Sequence, residues 1–320
     1  MNILGLETSC DETSASVVTD GVKVVTLKTA TSLAMHVATK GIVPENAARK
    51  QVEYMIPVIK EALAGQGIDA IAVTESPGLI GSLVVGITTA KALSLALNKP
   101  LHLVNHLMGH IYSLWLDKNE NEQPQFPFVV LLVSGGHTEL YLAKSHQEII
   151  FLGGTRDDAV GECFDKVARS LGLGYPGGPA IDAEASKFKA QSSKFKISNT
   201  FGLPKPMINT KDCEFSFSGL KTSVHRITLA NKLTIEETTQ LAYEFRETAI
   251  EILIAKLLFA SKINNTKNIA VVGGVSANSL LRERLLNLND GHVVYLPHLK
   301  YTGDNGAMIA SSAYFKNYSI

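Results

Sequence analysis

A hydrophobic strand, a polar turn and a second strand open the chain as Ile3-Leu4-Gly5-Leu6-Glu7-Thr8-Ser9-Cys10-Asp11-Glu12-Thr13-Ser14-Ala15-Ser16-Val17-Val18. This pattern predicts a β-hairpin, and a further strand is expected over residues 22–25. The pattern returns about 125 residues later as Phe128-Val129-Val130-Leu131-Leu132-Val133-Ser134-Gly135-Gly136-His137-Thr138-Glu139-Leu140-Tyr141-Leu142. Because this separation is far longer than the period of a solenoid, the repeat predicts two similar lobes.

Helical periodicity occupies residues 44–64, 83–97 and 235–259, and two more helices are expected to begin near Asn278 and near residues 304–305. Strands mixed with helices along the whole chain predict an α/β fold. The polar stretch Asp117–Pro127 is typical of an exposed connection. We therefore expect a first lobe over residues 1–122, completed by a C-terminal helix at about 305–320, and a second lobe over residues 123–304.

Composition sets further bounds on the 320 residues, of which 45% are apolar. The 30 basic and 30 acidic residues give a net charge of zero, which offers no support for a nucleic-acid partner. No stretch reaches the roughly 18 uncharged apolar residues of a membrane span, and the amino terminus lacks the basic leader of a signal peptide. Three cysteines without paired spacing fit a reducing compartment. We expect a cytoplasmic protein with no membrane partner.

Two histidines stand four residues apart in Asn105-His106-Leu107-Met108-Gly109-His110. On a helix this spacing places both imidazoles on one face, where they could share a metal, although ordinary surface or core histidines have the same spacing. Zinc proteases with this spacing carry a glutamate directly after the first histidine to activate water. Leu107 occupies that position, which argues against a metalloprotease.

Asp304 is the candidate third ligand, although an aspartate just before a helix is also an ordinary N-cap. A His-His-Asp site with open positions suits zinc or iron, and the residues do not choose between these metals.

Three glycine-rich turns could hold a nucleotide through their backbone N–H groups. They are Ser134-Gly135-Gly136-His137-Thr138, Gly174-Tyr175-Pro176-Gly177-Gly178-Pro179 with Asp182 beyond it, and Val272-Gly273-Gly274-Val275-Ser276-Ala277-Asn278. Glycine also marks plain turns, and none of the three is a P-loop or a dinucleotide fingerprint. Together with the paired hairpins, the turns fit an actin- or sugar-kinase-like cleft.

Acidic residues are concentrated between Asp157 and Asp165. Asp157 and Asp158 are typical of a solvated helix start, which the helix dipole favours. Asp165, one turn further, is the better candidate for a ligand contact. The alternating stretch from Phe215 to Thr222 is explained equally well by a strand.

Several motifs occur in one chain and in one order together with the histidine pair. They are Glu7-Thr8-Ser9-Cys10-Asp11-Glu12-Thr13, Val133-Ser134-Gly135-Gly136-His137-Thr138, Tyr175-Pro176-Gly177-Gly178-Pro179, the stretch from Phe215 to Thr222, and Asp304-Asn305-Gly306-Ala307-Met308. In this combination the chain, from Met1 to about Ala310, resembles the bacterial tRNA N6-adenosine threonylcarbamoyltransferase family. Similar proteins were once called O-sialoglycoprotein endopeptidases, a label that Leu107 makes doubtful.

The resemblance implies a two-lobed actin/Hsp70/sugar-kinase-like fold (ASKHA) with mixed sheets and an active site in the interlobe cleft. It implies transfer of a threonylcarbamoyl group from threonylcarbamoyl-AMP to N6 of the adenosine next to the anticodon. The acceptors would be tRNAs that read codons starting with A, and the products t6A and AMP. It also implies two companions beside tRNA, namely a non-catalytic paralogous subunit and a P-loop ATPase subunit.

The resemblance also assigns roles to individual residues. One divalent metal, iron in preference to zinc, would be held by His106, His110 and Asp304, and Glu12 would act near the reacting centre. The adenylate-bearing substrate would contact Val133, Ser134, Gly135, Gly136, His137, Asp165, Gly178, Asp182 and Asn278.

Three positions depart from the family pattern, namely Ile42, Gln51 and Ser76, and none is a proposed ligand. Two further classes stay open as alternatives. A small-molecule kinase on the same fold would leave the histidine pair unexplained. An Hsp70-type nucleotide-gated interaction module would need no transition metal.

Overall fold

The structure, a computed structural model, describes residues 1–32, 43–191, 200–230 and 232–318, so Ile42 lies outside the described residues. The chain forms two compact units, unit 1 (residues 1–124 and 295–320) and unit 2 (residues 125–294). Residues 295–304 group with unit 1, whereas the sequence analysis placed them in the second lobe. The lobe boundaries drawn from the sequence stay a prediction.

The regular elements of the described residues follow in chain order. The strands are β1 (Asn2–Glu7), β2 (Glu12–Thr19), β3 (Lys23–Thr31), β4 (Ala70–Ser76), β5 (Leu101–Asn105), β6 (Phe128–Val133), β7 (Thr138–Ala143), β8 (Ile149–Gly154), β9 (Asn268–Val272) and β10 (Val293–Tyr295). The α-helices are α1 (Pro44–Leu63), α2 (Ile80–Leu97), α3 (His106–Tyr112), α4 (Val160–Ser170), α5 (Gly177–Gln191), α6 (Ser218–Ala230), α7 (Ile235–Ile263), α8 (Ser279–Leu286) and α9 (Gly306–Asn317).

Each unit is built on a five-stranded mixed sheet. The strand order is β3-β2-β1-β4-β5 in the first sheet and β10-β9-β6-β7-β8 in the second. Both predicted hairpins are confirmed, with β1 antiparallel to β2 and β6 antiparallel to β7. On its other side, the first strand of each hairpin pairs with a parallel strand. Strand β4 lies beside β1, and β9 lies beside β6. The two sheets therefore repeat one strand order, as the repeated sequence pattern suggested.

Helices cover both faces of the unit 1 sheet. Successive side chains of a strand point to opposite faces, and β1 is buried on both. Ile3 packs with α9 residues such as Ile309 on one face, while Leu4 packs with α1 residues such as Ile59 on the other.

The beginning of α9 lies directly against β1. A Cβ atom at Gly5 would lie 2.0 Å from the carbonyl oxygen of Gly306, and a Cβ at Gly306 would lie 2.5 Å from the carbonyl oxygen of Gly5. The Gly306 N–H donates to Ser14 Oγ at 3.0 Å. The two backbones can approach this closely because neither residue has a side chain.

Two acidic residues in unit 2 have partners that the sequence interpretation did not include. Asp157 is exposed and precedes α4, as expected, but its carboxylate also accepts from the N–H groups of Phe217 and Ser218 at 2.8 and 3.1 Å. Asp158 forms ion pairs with Lys166 and Lys221. Both acids therefore hold the 215–222 stretch, which contributes a single β-bridge and then α6 rather than a strand.

A buried lysine ties the long helix α7 to a nearby turn in unit 2. Lys256 is only 1% exposed, and its ammonium donates to Oδ1 of Asp212 at 2.9 Å and to Oγ1 of Thr210 at 2.7 Å. The hydrogen bond from Lys256 lowers the pKa of Asp212 to about 2.

Helix α2 is longer and more apolar than the sequence analysis expected, beginning at Ile80 rather than Leu83. Its 18 residues have a mean hydropathy of 1.7, and 22% of them are buried. By length and composition alone α2 could cross a membrane, and one helix of this kind is weak evidence for a span.

The Gly5–Gly306 contact predicts that Gly5→Ala is destabilising. The added methyl group must displace backbone rather than a flexible side chain, and overpacking of this kind lowers the free energy of unfolding by about 3 kcal/mol. Chemical denaturation measures the change. Gly67→Ala is the control, since a Cβ there meets nothing within 4 Å. Equal stability of the two variants would contradict the described packing.

The Lys256–Asp212 pair predicts a dependence of stability on pH. A carboxyl whose pKa is lower in the folded state stabilises the fold above its unfolded pKa, and that contribution is lost as the pH falls from about 4 to about 2. We expect Lys256→Met to lower the free energy of unfolding by about 2 kcal/mol at pH 7 and to flatten the decline between pH 4 and 2. Denaturant titrations at several pH values measure both effects. The control is Lys262→Met, which removes an exposed cation from the same helix.

Candidate functional site

The two histidines lie on a short helix, as their spacing predicts. Helix α3 contains His106 and His110, and the Asn105 side chain caps it by accepting from the N–H groups of Leu107 and Met108. The two imidazole ring centres are 4.7 Å apart. Gly109, between the histidines, faces α9, where a Cβ atom would lie 2.8 Å from Ile309 Cδ1. The helix that bears the histidines is therefore packed tightly against α9.

Asp304 is not the cap of α9. The cap is Asn305, whose side-chain oxygen accepts from the N–H of Met308 at 3.0 Å. The role of helix N-cap, which the sequence allowed for Asp304, thus belongs to Asn305. The Asp304 carboxylate faces α3 instead.

The three predicted metal ligands converge within unit 1. Asp304 Oδ1 lies 3.2 Å from His110 Nε2 and 3.6 Å from His106 Nε2. One ligand atom from each residue lies within 4.8 Å of the other two. Two imidazole nitrogens and a carboxylate oxygen at such distances form a donor set that zinc and iron accept.

The burial of His110 supports the presence of a cation. His110 is fully buried, and among the described residues neither of its ring nitrogens makes a hydrogen bond of acceptable geometry, although Asp304 Oδ1 lies 3.2 Å from Nε2. A buried polar atom without a partner is costly, and coordination to a metal ion would remove that cost at Nε2. The residues present therefore fit a divalent metal ion.

Glu7 interacts with His106 on the side of the ring opposite Nε2. Its buried carboxylate lies 3.1 Å from His106 Nδ1 and also accepts from the Ser9 N–H and the Thr74 hydroxyl, both at 2.5 Å. Burial, the largest single influence, raises the pKa of Glu7, but the charge of His106 and the hydrogen bonds from His106 and Ser9 together lower it below its usual value. A carboxylate on Nδ1 directs Nε2 of the same ring toward a metal, as in many zinc sites.

The charges around His106 favour a cation at this place. Burial lowers the pKa of His106, while the nearby carboxylates of Glu7 and Asp304 raise it to about 9. Two acids thus stabilise one positive charge at the imidazole. A metal ion bound to Nε2 would satisfy the same two carboxylates.

Glu12 stands at the start of β2, in the turn region that also contains Glu7. Burial, and then the negative charges of Asp304 and Asp11, raise the pKa of Glu12 well above its usual range. Gln51, one of the positions that departs from the family pattern, forms hydrogen bonds to the backbone of the β1–β2 turn. Its Nε2 donates to the carbonyl oxygens of Thr8, Cys10 and Glu12 at 3.3, 3.0 and 3.1 Å.

Unit 2 contains a cavity of about 350 Å³. It is lined by Gly135, Gly161, Phe164, Asp165, Pro176, Gly178, Pro179, Asp182, Gly274, Val275, Ala277 and Asn278. All three glycine-rich turns singled out in the sequence contribute to this lining, and Gly161, Phe164 and Asp165 come from α4. A concave site of this size with few polar groups is typical of small-molecule binding.

Five of the nine predicted substrate contacts line the cavity, and four do not. Gly135, Asp165, Gly178, Asp182 and Asn278 belong to the lining. Val133 is buried in β6, and Ser134 and His137 close their own turn, with Ser134 N donating to His137 O at 2.9 Å and His137 N to Ser134 Oγ at 3.1 Å. Gly136 lies in the same turn and is exposed. The backbone N–H groups of Ser134 and His137 therefore already form hydrogen bonds within the turn.

Asp182 connects three helices at the edge of the cavity. Its carboxylate accepts from Arg246 of α7, from the amide of Asn278, and from both the hydroxyl and the N–H of Ser279. Neither Arg246 nor the supporting role of Glu7 was predicted from the sequence. A charged residue within an apolar stretch could have indicated each of these roles. Glu7 stands at the end of the apolar strand β1, and Arg246 follows Phe245 within the buried part of α7.

Comparison with known proteins shows the family to which the chain belongs. Residues 23–311 match the family model TsaD, described as tRNA N6-adenosine threonylcarbamoyltransferase. A relative of that name from Syntrophobacter fumaroxidans is 44% identical, covering 98% of this chain and 94% of its own length. One from Persephonella marina is also 44% identical, with 98% and 90% covered.

Solved structures agree in fold at much lower identity. The chain is similar to component A of (R)-2-hydroxyglutaryl-CoA dehydratase from Acidaminococcus fermentans, with a TM-score of 0.56, 12% identity, and 99% and 98% of the two chains covered. It is also similar to HypF from T. kodakarensis, with a TM-score of 0.60 and 14% identity over 98% of this chain and 47% of that one. At these identities the likeness concerns the fold alone, which is the actin/Hsp70/sugar-kinase-like fold expected from the sequence.

The hydrogen bond between Glu7 and His106 predicts that Glu7→Gln weakens metal binding. A neutral amide cannot accept from all three donors around Glu7, and loss of such a supporting carboxylate typically reduces metal affinity about 10–100-fold. Titration of the metal-free protein with Zn²⁺ measures the affinity. The control is Glu61→Gln, which neutralises an exposed carboxylate in the same unit. Unchanged affinity in Glu7→Gln would mean that Glu7 does not orient the ring.

Proposed function

The chain belongs to the tRNA N6-adenosine threonylcarbamoyltransferase family, and on that premise we propose which reaction it performs. The donor is threonylcarbamoyl-AMP, and the acceptor is N6 of the adenosine next to the anticodon in tRNAs that read codons starting with A. The products are t6A and AMP. The cavity of unit 2 holds the adenylate part of the donor.

One observation carries this proposal. His106, His110 and Asp304 bring three ligand atoms within 4.8 Å of one another, although Asp304 is far from the histidines in sequence. A kinase or an Hsp70-type module has no use for such a group. A divalent metal bound there, iron in preference to zinc, would supply Lewis-acid polarisation of the acyl donor.

The reaction is an acyl transfer. The N6 amine attacks the carbonyl carbon of the carbamoyl group, a C–N bond forms, and the bond from that carbon to the phosphate oxygen breaks. AMP leaves with the electron pair of that bond. The backbone N–H groups of Gly135 and Gly136 are the remaining candidates in their turn for stabilising negative charge, since those of Ser134 and His137 act within the turn.

The attacking amine must lose a proton, and we assign that proton to the carboxylate of Glu12. Burial and the neighbouring negative charges raise the pKa of Glu12, and a raised pKa makes a carboxylate a stronger base. Gln51 holds the carbonyl of the same residue and so restrains the position of Glu12.

The proposal extends to partners and location. A chain with no net charge has little capacity to hold tRNA unaided, so we assign part of that task to a non-catalytic paralogous subunit and a P-loop ATPase subunit. The reaction takes place in the cytoplasm, where such tRNAs are modified.

Reconstitution tests the proposed reaction. The protein is incubated with threonylcarbamoyl-AMP, unmodified tRNA and the two companion subunits, and the nucleosides are analysed by mass spectrometry. We expect t6A from the native protein. We expect His110→Ala to lose bound metal, measured by elemental analysis, and to lose more than about 100-fold in the rate of transfer, because a coordinating nitrogen is gone.

The matched control is His102→Ala, which removes an imidazole from the same unit outside the metal group. It should keep both metal and activity. Normal t6A formation by His110→Ala would refute the site, and a phosphorylated small molecule formed from labelled ATP would favour the kinase alternative.

A further inference from the structure

The long helix α7 carries an arginine in the interior of unit 2. Arg246 is 2% exposed, and the residues that share its face of α7, Ala242, Ala249 and Leu253, are buried apolar residues. A buried guanidinium is stable only when it is paired, because removing it from water is costly. Its partner therefore indicates what it does.

The partner is Asp182. Arg246 Nη1 donates to Asp182 Oδ1 at 2.7 Å, to the carbonyl oxygen of the same residue at 3.3 Å and to Ser186 Oγ at 3.3 Å. The arginine thus holds both the side chain and the backbone of Asp182. This fixes the aspartate more firmly than a single ion pair would.

The two carboxylate oxygens of Asp182 are used unequally. Oδ1 accepts from Arg246, from Asn278 Nδ2 at 3.2 Å and from Ser279 Oγ at 3.0 Å. Among the described residues, Oδ2 accepts only from the Ser279 N–H, at 3.2 Å. A carboxylate oxygen can accept more than one hydrogen bond, so Oδ2 keeps capacity for a ligand.

The carboxylate is accessible from the cavity, because Asp182 belongs to the lining and its side chain is 21% exposed. The lining is otherwise formed mainly by glycine, proline and apolar residues. A fixed carboxylate in such a place recognises a hydrogen-bond donor on the ligand, and the hydroxyl groups of a sugar are donors of this kind.

We propose that Arg246 is a positioning residue that makes the cavity prefer a nucleotide with ribose hydroxyls over one without them, by holding Asp182 so that Oδ2 accepts from a ribose hydroxyl. The inference rests on the proposed function, in which the cavity holds an adenylate. Without the arginine, Asp182 is free to turn toward solvent, and the preference for ribose disappears while the rest of the cavity is kept.

Calorimetric titration with AMP and with 2′,3′-dideoxy-AMP tests the proposal. We expect the native protein to bind AMP about tenfold more tightly, since a hydrogen bond to a charged acceptor has about this effect. In Arg246→Met the affinity for AMP falls about tenfold, the affinity for the dideoxy compound is unchanged, and the preference is lost. Arg246→Lys keeps a cation and part of the preference, and it provides the test if the methionine variant does not fold.

Lys256→Met is the matched control, because it removes a cation of equal burial from the same helix, where it binds Asp212 rather than Asp182. It should lose stability and keep the preference for AMP.

The proposal is overturned if Arg246→Met and Arg246→Lys both keep the native preference, or if Lys256→Met loses it equally. A native protein that binds both compounds alike overturns the inference but leaves the transfer reaction standing. If the native protein binds neither compound, the cavity does not hold the adenylate, and the inference fails with that assignment.

Discussion

The candidate metal centre depends on the close approach of two backbones, at Gly5 in β1 and Gly306 at the start of α9. Asp304 precedes this contact by two residues, so the position of its carboxylate is set by the sheet rather than by a loose turn. The opposite side of the centre is fixed in a similar way, because Gly109 lets α3 pack closely on Ile309 of α9. A chain with larger residues at these positions would hold the same ligands less exactly in place, and a metal site tolerates little displacement.

The two units divide the chemistry between them while repeating one strand order. Unit 1 concentrates charge, with imidazoles and three acids near one point. Unit 2 forms a cavity from glycine and proline turns, and the carboxylates of Asp165 and Asp182 are the acidic groups in its lining. Each arrangement suits its ligand, since a cation needs fixed negative groups and a nucleotide needs room and a few directional contacts.

Local patterns made much of this predictable from the sequence. The hairpins follow from the alternation of residues 3–18 and 128–142, and the shared face of His106 and His110 follows from helix geometry. Long-range contacts were not predictable in the same way. Glu7 meets His106 across 99 positions, and Arg246 meets Asp182 across 64, so neither role has a local signature. The partners of Asp157 and Asp158 were missed for the same reason, since they lie near residues 216–221.

The adjacency of Asp304 and Asn305 has a consequence for the evolution of the chain. One residue is the candidate ligand and the next closes the helix, and both tasks need a short side chain with an oxygen at its tip. A deletion or insertion of one residue in the 302–305 segment would exchange the two tasks and turn the carboxylate away from the imidazoles. Substitutions nearby are therefore easier to tolerate than a change of length, and this segment should keep its residue count wherever the centre is in use.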